Sequence, residues 1–185
     1  MSRVIGKSRL GLVVIKLSVG SEPFFLMRLN AKWKDVNFIG GHEKERDGQN
    51  LGRTARRELW EEVPPVRGRD DFTLEPLTQV VHYGPILSRS RGNEVEYELQ
   101  FFLLKIGQSP AGLADMFSSR TKNIWVSERD LMSQRRFRVS GLVTLLDSLF
   151  PGGLSAIPYS SPVDLHFMRD RFVDTSGKQI EFALK

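Results

Sequence analysis

Phe38-Ile39-Gly40-Gly41-His42-Glu43-Lys44-Glu45-Arg46-Asp47-Gly48-Gln49-Asn50 runs into Leu51-Gly52-Arg53-Thr54-Ala55-Arg56-Arg57-Glu58-Leu59-Trp60-Glu61-Glu62-Val63 and stops at Pro64-Pro65. A short β-branched and aromatic stretch ends at paired glycines, and a polar loop follows. Asn50 is suited to cap a helix, because its side-chain oxygen can accept from a backbone N–H that has no partner in the first turn. Leu51, Ala55, Leu59 and Val63 recur at helical spacing and would face a core. The two prolines end the helix, since proline lacks the N–H and disfavours helical backbone in the residue before it. This region therefore reads as strand, Gly-Gly, loop and helix.

The last turns of that helix carry three acids. At about 100° per residue, Glu58, Glu61 and Glu62 share a wedge of roughly 100°. Like charges at this spacing repel, and acids in the last turn meet the negative end of the helix dipole. Each effect costs a few tenths to ~1 kcal/mol at an exposed position. A divalent cation would reverse both, and clustered hard oxygens suit Mg²⁺, or Mn²⁺ in its place. An acidic helix face relieved by Arg57, four residues before Glu61, is the other reading of the same six residues.

The larger pattern resembles the Nudix box, G-x5-E-x7-R-E-U-x-E-E-x-G-U with U aliphatic. Arg57-Glu58-Leu59-Trp60-Glu61-Glu62 matches the R-E-U-x-E-E core in full, and Phe38-Ile39-Gly40-Gly41 looks like the strand before the box. Gln49 stands eight positions before Arg57, where the early glutamate is expected, and seven residues then separate it from Gly41. Pro64-Pro65 replaces the usual glycine and aliphatic pair. Tyr97 to Leu104 and Trp125-Val126-Ser127 look like later strands of that family. The resemblance implies an α/β chain, a Nudix-type α/β/α sandwich with a mixed central β-sheet. Its expected extent is a domain over residues 1–150, with residues 151–185 as a C-terminal extension packed on it.

The same resemblance implies a Mg²⁺-dependent pyrophosphohydrolase cleaving the diphosphate of a nucleoside diphosphate linked to another group. Glu58, Glu61 and Glu62 would be metal ligands, with the Gly41 carbonyl as a further one. Glu58 would help deprotonate the attacking water, and Arg57 would orient Glu58 and Glu61. Gln49 can accept a hydrogen bond from Arg57 without contributing charge, and Glu43, Glu45 and Asp47 are alternative partners in the enlarged loop. Glu96 or Glu98 could add a carboxylate, although their alternation with Val95, Tyr97 and Leu99 is also that of a strand with one polar face. The altered box equally fits a Nudix-like nucleotide-binding or sensor domain with weakened catalysis.

Composition agrees with a nucleotide-handling protein without singling one out. At 185 residues, 40% hydrophobic and 26% charged, the chain is ordinary for one globular domain. It has no cysteine, which excludes disulfides, thiolate catalysis and cysteine-bound zinc. His42, His82 and His166 show no metal-ligand spacing. The net charge of +5 favours anionic partners, a nucleotide or nucleotide-sugar first. An RNA 5′ end is a weaker alternative, resting on Arg53, Arg56 and Arg57 and on Arg135, Arg136 and Arg138. Trp33, His82, Tyr83, Phe101 and Trp125 are candidates to stack a base. Near the N-terminus, Leu10 to Ile15 is halted by Lys16 with no small-residue cleavage site after it, so it reads as a strand of a cytoplasmic protein. No stretch reaches membrane-spanning length. The tail is also a candidate to pack on a second copy of the chain as a homodimer.

Overall fold

Successive residues of the first strand, β1 (Gly6–Val14), belong to different cores. Leu10, Leu12 and Val14 enter one buried cluster, whereas Val13 enters another, which Ile15 and Leu17 continue. This is the period of two expected of extended chain, here apolar on both faces. Such a strand must be covered on both sides, and helices cover it. The computed structural model describes residues 5–30, 35–88, 92–107, 123–134, 138–166 and 169–172.

After β1 come β2 (Lys16–Val19), β3 (Glu22–Asn30), β4 (Asp35–Asn37) and β5 (Ile39–His42), then helix α1 (Leu51–Glu62). The chain continues through β6 (Phe72–Pro76), β7 (Val81–Leu87), β8 (Glu94–Ile106), β9 (Asn123–Ser127) and α2 (Glu128–Ser133). It ends its described course with β10 (Arg138–Val139), α3 (Gly141–Leu149) and α4 (Arg169–Phe172). One five-stranded sheet has the order β5-β1-β8-β6, with β7 also on β8; the other has β10-β4-β3-β2, with β9 on β3. Both are mixed: β1 and β8 run parallel, as do β4 and β10, and the remaining pairs are antiparallel. The chain passes between sheets at Ile15, whose carbonyl accepts the Leu26 N–H at 3.0 Å. Leu51, Ala55 and Leu59 of α1 close one core, and Val143 and Leu146 of α3 close the other. The result is the expected α/β/α layering, with its mixed sheet divided in two.

Strand β6 was not expected. The sequence reads as one β segment from Leu77 to Leu87, but the strand begins only at Val81. The cause is the thirteen-residue length of β8. Its second half pairs with β6, from Phe72↔Ile106 to Pro76↔Phe102, and its first half pairs with β7. Leu77 to Val80 is the crossing between them. Trp33, Arg135, Arg136, residues 89–91, whose sequence reads as part of a hairpin-like connection, and residues 180–184, whose sequence reads as strand-like, lie outside the described residues.

The segment after α3 is fastened to the junction of the sheets by a buried lysine. Lys16, 1% exposed, donates from Nζ to the carbonyls of Leu154, Ser155 and Ile157 at 2.9, 3.0 and 3.1 Å. Those carbonyls belong to the short 3-10 turn Gly153–Ala156 and its exit. Burial pushes the lysine pKa down, opposed by Glu128. Farther on, Asp164 accepts from Ser18 Oγ, Gly20 N and Ser21 N at 2.7, 2.8 and 2.8 Å. Phe172 meets Phe24 and Trp125 with ring centroids 5.2 and 5.3 Å apart. No helix among the described residues is long and apolar enough to cross a membrane.

The position of α1 rests on a missing side chain. A Cβ at Gly11 would come within 2.4 Å of the Leu51 carbonyl oxygen and 2.7 Å of Ala55 N. Both are backbone atoms, so the helix itself would have to lift. Gly11→Ala is expected to destabilise the fold by ~1–3 kcal/mol or more. Urea denaturation would show this as a lower midpoint with an unchanged slope.

Candidate functional site

The loop between β5 and α1 is built around one buried acid. Asp47, 4% exposed, closes the short turn Glu45–Asp47 by accepting the Lys44 N–H at 2.9 Å. It also accepts Thr54 Oγ1 at 3.1 Å. Its main partner is Arg57: Nε lies 3.0 and 3.2 Å from the two carboxylate oxygens, and Nη2 is 3.0 Å from Oδ2. Those guanidinium hydrogen bonds hold the Asp47 carboxyl well below the usual carboxylate range, against the opposing effect of burial, and Lys44 and Thr54 add to the depression. The remaining Arg57 contacts run to the His42 carbonyl at 2.9 Å, to Glu58 Oε1 at 2.5 Å and to Glu61 Oε2 at 3.4 Å.

Gln49 is therefore not the partner of the arginine. It is exposed, at φ 57°, directly after Gly48 at φ 64°. Counted forward from Gly41, Asp47 stands six positions on, where the box pattern places its acid. The two extra residues then fall between Asp47 and Arg57, and the consecutive left-handed positions absorb them. The chemistry of a charged partner is retained, on a side chain one methylene shorter.

The three acids of the core motif have different surroundings. Glu58 is buried, and its carboxylate lies against Gly41, where a Cβ would come within 2.7 Å of Cδ and Oε1. Glu62 has an 8% exposed side chain paired with Arg28 of β3, and its Oε2 accepts the Gly40 N–H at 3.4 Å. Its main-chain carbonyl accepts Asn123 Nδ2 at 2.7 Å, which ties the end of α1 to β9. Glu61 is 45% exposed and turns toward the loop, 2.9 Å from Arg46 Nη2 and 3.8 Å from Lys44 Nζ. So Glu58 and Glu62 come to the two consecutive glycines of β5, and Glu61 is linked to Glu58 through Arg57. Among the described residues, no three His, Cys, Asp or Glu are grouped so as to hold a metal ion. The donors fit a divalent cation in kind: hard carboxylates on one helical turn, one of them seated on a glycine that leaves room for it. In this arrangement their charge is offset by Arg28, Arg46, Lys44 and Arg57 instead.

The other candidates separate cleanly. Phe101 and Trp125 are 0% and 1% exposed; they are core and offer no face to a base. His82 and Tyr83 line a cavity of about 350 Å³ together with Arg9, Glu96, Tyr97 and Glu98. Glu98 pairs with Arg9 at 3.1 Å, and Arg9 also holds both oxygens of Glu43, at 2.9 and 3.0 Å. Ser8 Oγ and His42 Nδ1 are 2.7 Å apart. The cavity is thus joined through β1 to the loop that carries Asp47. Arg28 is a residue that sequence reading missed. The available signal was a cation interrupting the apolar run Phe24-Phe25-Leu26-Met27, all four of which are buried.

No family model matches this chain, and no curated protein matches it. Solved structures to which it is similar include the Ap4A hydrolase of C. elegans, at 16% identity and TM-score 0.47 over 70% of this chain and 86% of that one. The NUDIX domain of Shewanella oneidensis NrtR, crystallised with ADP ribose, is similar at 16% identity and TM-score 0.44 over 75% and 81%. A NUDIX hydrolase from Alicyclobacillus acidocaldarius is similar at 13% identity and TM-score 0.47 over 84% and 96%. Likeness at this level places no site residue and names no activity.

Two substitutions probe the loop and its acid. In Asp47→Asn, Arg57 loses the main one of its charged partners while keeping Glu58 and Glu61, and a loss of ~1–3 kcal/mol is expected. The depressed acid of the native protein contributes stability in full above the ordinary value near 3.8, and loses it as the pH falls below that value. The variant should therefore lack this part of the acid dependence, which urea midpoints measured across that range would show. Gly41→Ala should shift the Glu58 carboxylate while leaving the fold cooperative. A single sharp melting transition at a nearly unchanged temperature would show this.

Proposed function

We propose that this protein is a Mg²⁺-dependent Nudix-type pyrophosphohydrolase, acting on a nucleoside diphosphate linked to another group. The observation that carries this reading is the Asp47–Arg57–Glu58 chain. It clamps an acid of the R-E-U-x-E-E core, buried, against the glycine of the preceding strand. Glu58, Glu61, Glu62 and the Gly41 carbonyl are the groups that would hold Mg²⁺, or Mn²⁺ in its place. When bound, such a cation lowers the pKa of a coordinated water and offsets phosphate charge in the transition state.

The chain's own residues do the rest. Glu58, kept in place by Arg57, accepts the proton of the attacking water. A new oxygen–phosphorus bond forms as the bridging oxygen–phosphorus bond breaks, and the departing phosphate takes the bridging electrons. Arg57 stays a positioning residue, because Asp47, His42, Glu58 and Glu61 engage it and leave it turned away from substrate. Release of Arg28 from Glu62 and of Arg46 from Glu61 is part of loading the site. The substrate class is a nucleotide or nucleotide-sugar, with an RNA 5′ end as the less supported member, and the proposed setting is the cytoplasm. The proposed domain spans residues 1–150, with 151–185 as its extension.

A second reading, a nucleotide-binding or sensor domain with weakened catalysis, is favoured by the pairing of all three acids with Arg28, Lys44, Arg46 and Arg57. The test is a panel of ADP-ribose, nucleotide sugars, dinucleoside polyphosphates and 5′-triphosphate RNA, in Mg²⁺ and in EDTA. Turnover of at least one compound in Mg²⁺ alone is expected, falling about a hundredfold or more in Glu58→Gln. A ligand that binds in calorimetry and is recovered intact from Mg²⁺ would instead establish the sensor.

A further inference from the structure

Arg53, Arg56 and Trp60 recur along α1 at helical spacing. At about 100° per residue they fall within a wedge of about 60°, on the far side of the helix from Glu58 and Glu62. Both arginines are exposed. Trp60 is 40% exposed, although an indole gains from burial. Arg67 is exposed as well, at the exit of the 3-10 turn Pro64–Val66 that follows α1. Other arginines of this region have each met an acid: Arg46 holds Glu61, Arg57 holds Asp47 and Arg69 holds Asp71. Among the described residues, the side chains of Arg53, Arg56 and Arg67 have no ion pair or hydrogen bond. Two forces oppose this placement. Arg53 and Arg56 are like charges at i,i+3. Arg53 also stands in a first turn without an acid, where the helix dipole favours negative charge. A phosphate beside the two arginines relieves both, and Trp60, one turn on from Arg56, offers a base a face to stack on. Packing does not require the tryptophan there, because Leu51, Ala55 and Leu59 already turn an apolar face inward.

We propose that this outer face of α1 binds single-stranded nucleic acid, with Arg53, Arg56 and Arg67 on its phosphates and Trp60 stacked on a base. Charge complementarity selects the occupant. Arginines without acids match a chain of phosphates, the exposed indole matches unpaired bases, and a net charge of +5 attracts the whole strand. A duplex keeps its bases stacked inside and would leave Trp60 unused. Glu58 and Glu62 lie on the other side of the helix, so the inference does not rest on the proposed cation site.

The test is fluorescence anisotropy of a labelled oligouridylate, about twelve nucleotides long, titrated with the full chain at several salt concentrations. The double variant Arg53→Gln with Arg56→Gln should bind about tenfold or more weakly. It should also lower the slope of log Kd against log salt by about 1.4, the share of two phosphates on a single strand. Trp60→Leu should weaken binding about fivefold to a hundredfold at an unchanged slope, and Trp60→Phe should restore most of that loss. The substituted side chains are exposed, so melting temperatures should stay near wild type. Arg129→Gln removes an exposed charge from α2, which packs on the other core through Leu131, and should leave affinity nearly unchanged. A loss there as large, charge for charge, as on α1 would show diffuse attraction and overturn the proposal. So would unchanged binding in Trp60→Leu, equal affinity for a duplex of the same length, or no binding by wild type at low salt. Glu58→Gln should bind the strand as wild type does; weaker binding would place the strand at the acids and overturn the assignment to this face.

Discussion

The guanidinium of Arg57 is the interaction on which the site depends. It reaches one acid of the loop, two acids of its own helix and the carbonyl of His42 at the end of β5. Arginine suits this position because its donors are planar and fixed in direction, so several partners are held at defined angles at once. A lysine would present the same charge without the geometry. The energetic risk is that Asp47 and Arg57 are both shielded from water, and Asp47 would be left as a buried charge without its main partner if Arg57 were lost. What the pair provides is register: it fixes the loop to the helix, and the helix face to the paired glycines.

The site also depends on close approach. Gly11 lets α1 lie on β1, and Gly41 lets the Glu58 carboxylate sit against β5. These are neighbouring places on paired strands, since Gly11 and Gly41 face each other in the β1–β5 register. The absence of two side chains therefore sets both the height of the helix and the seat of its buried acid. Packing and chemistry are not separable here. The helix that closes one hydrophobic core through Leu51, Ala55 and Leu59 presents its acids from the same turns.

Charge balance links the site to the rest of the molecule. Three acids on one helix end would repel each other, and four cations from three places offset them: Arg28 from β3, Lys44 and Arg46 from the loop, and Arg57 from the helix itself. Both readings of the acidic face offered by the sequence thus have a place. The face is salt-bridged in this arrangement, and its donors are still those a divalent cation would use. Elsewhere the chain meets a buried charge differently: Lys16 is satisfied by three backbone carbonyls, with Glu128 at 3.6 Å. That fastens the C-terminal segment where the sheets meet.

Local signals decided much of this in advance. The Asn50 cap, the spacing of Leu51, Ala55 and Leu59, and the proline stop define α1, because capping and periodicity act within a few residues. The three acids and Arg57 were legible for the same reason, as was the α/β class. Tertiary structure alone decided three other matters. Asp47 rather than Gln49 meets Arg57, because the left-handed pair Gly48-Gln49 takes up the extra residues, and no count along the chain reveals where a loop bulges. Arg28 reaches Glu62 because β3 pairs with β9 across nearly a hundred residues of sequence. Phe101 and Trp125 are core rather than ligand-facing. In each case the deciding contact joins residues that only sheet pairing or loop closure brings together.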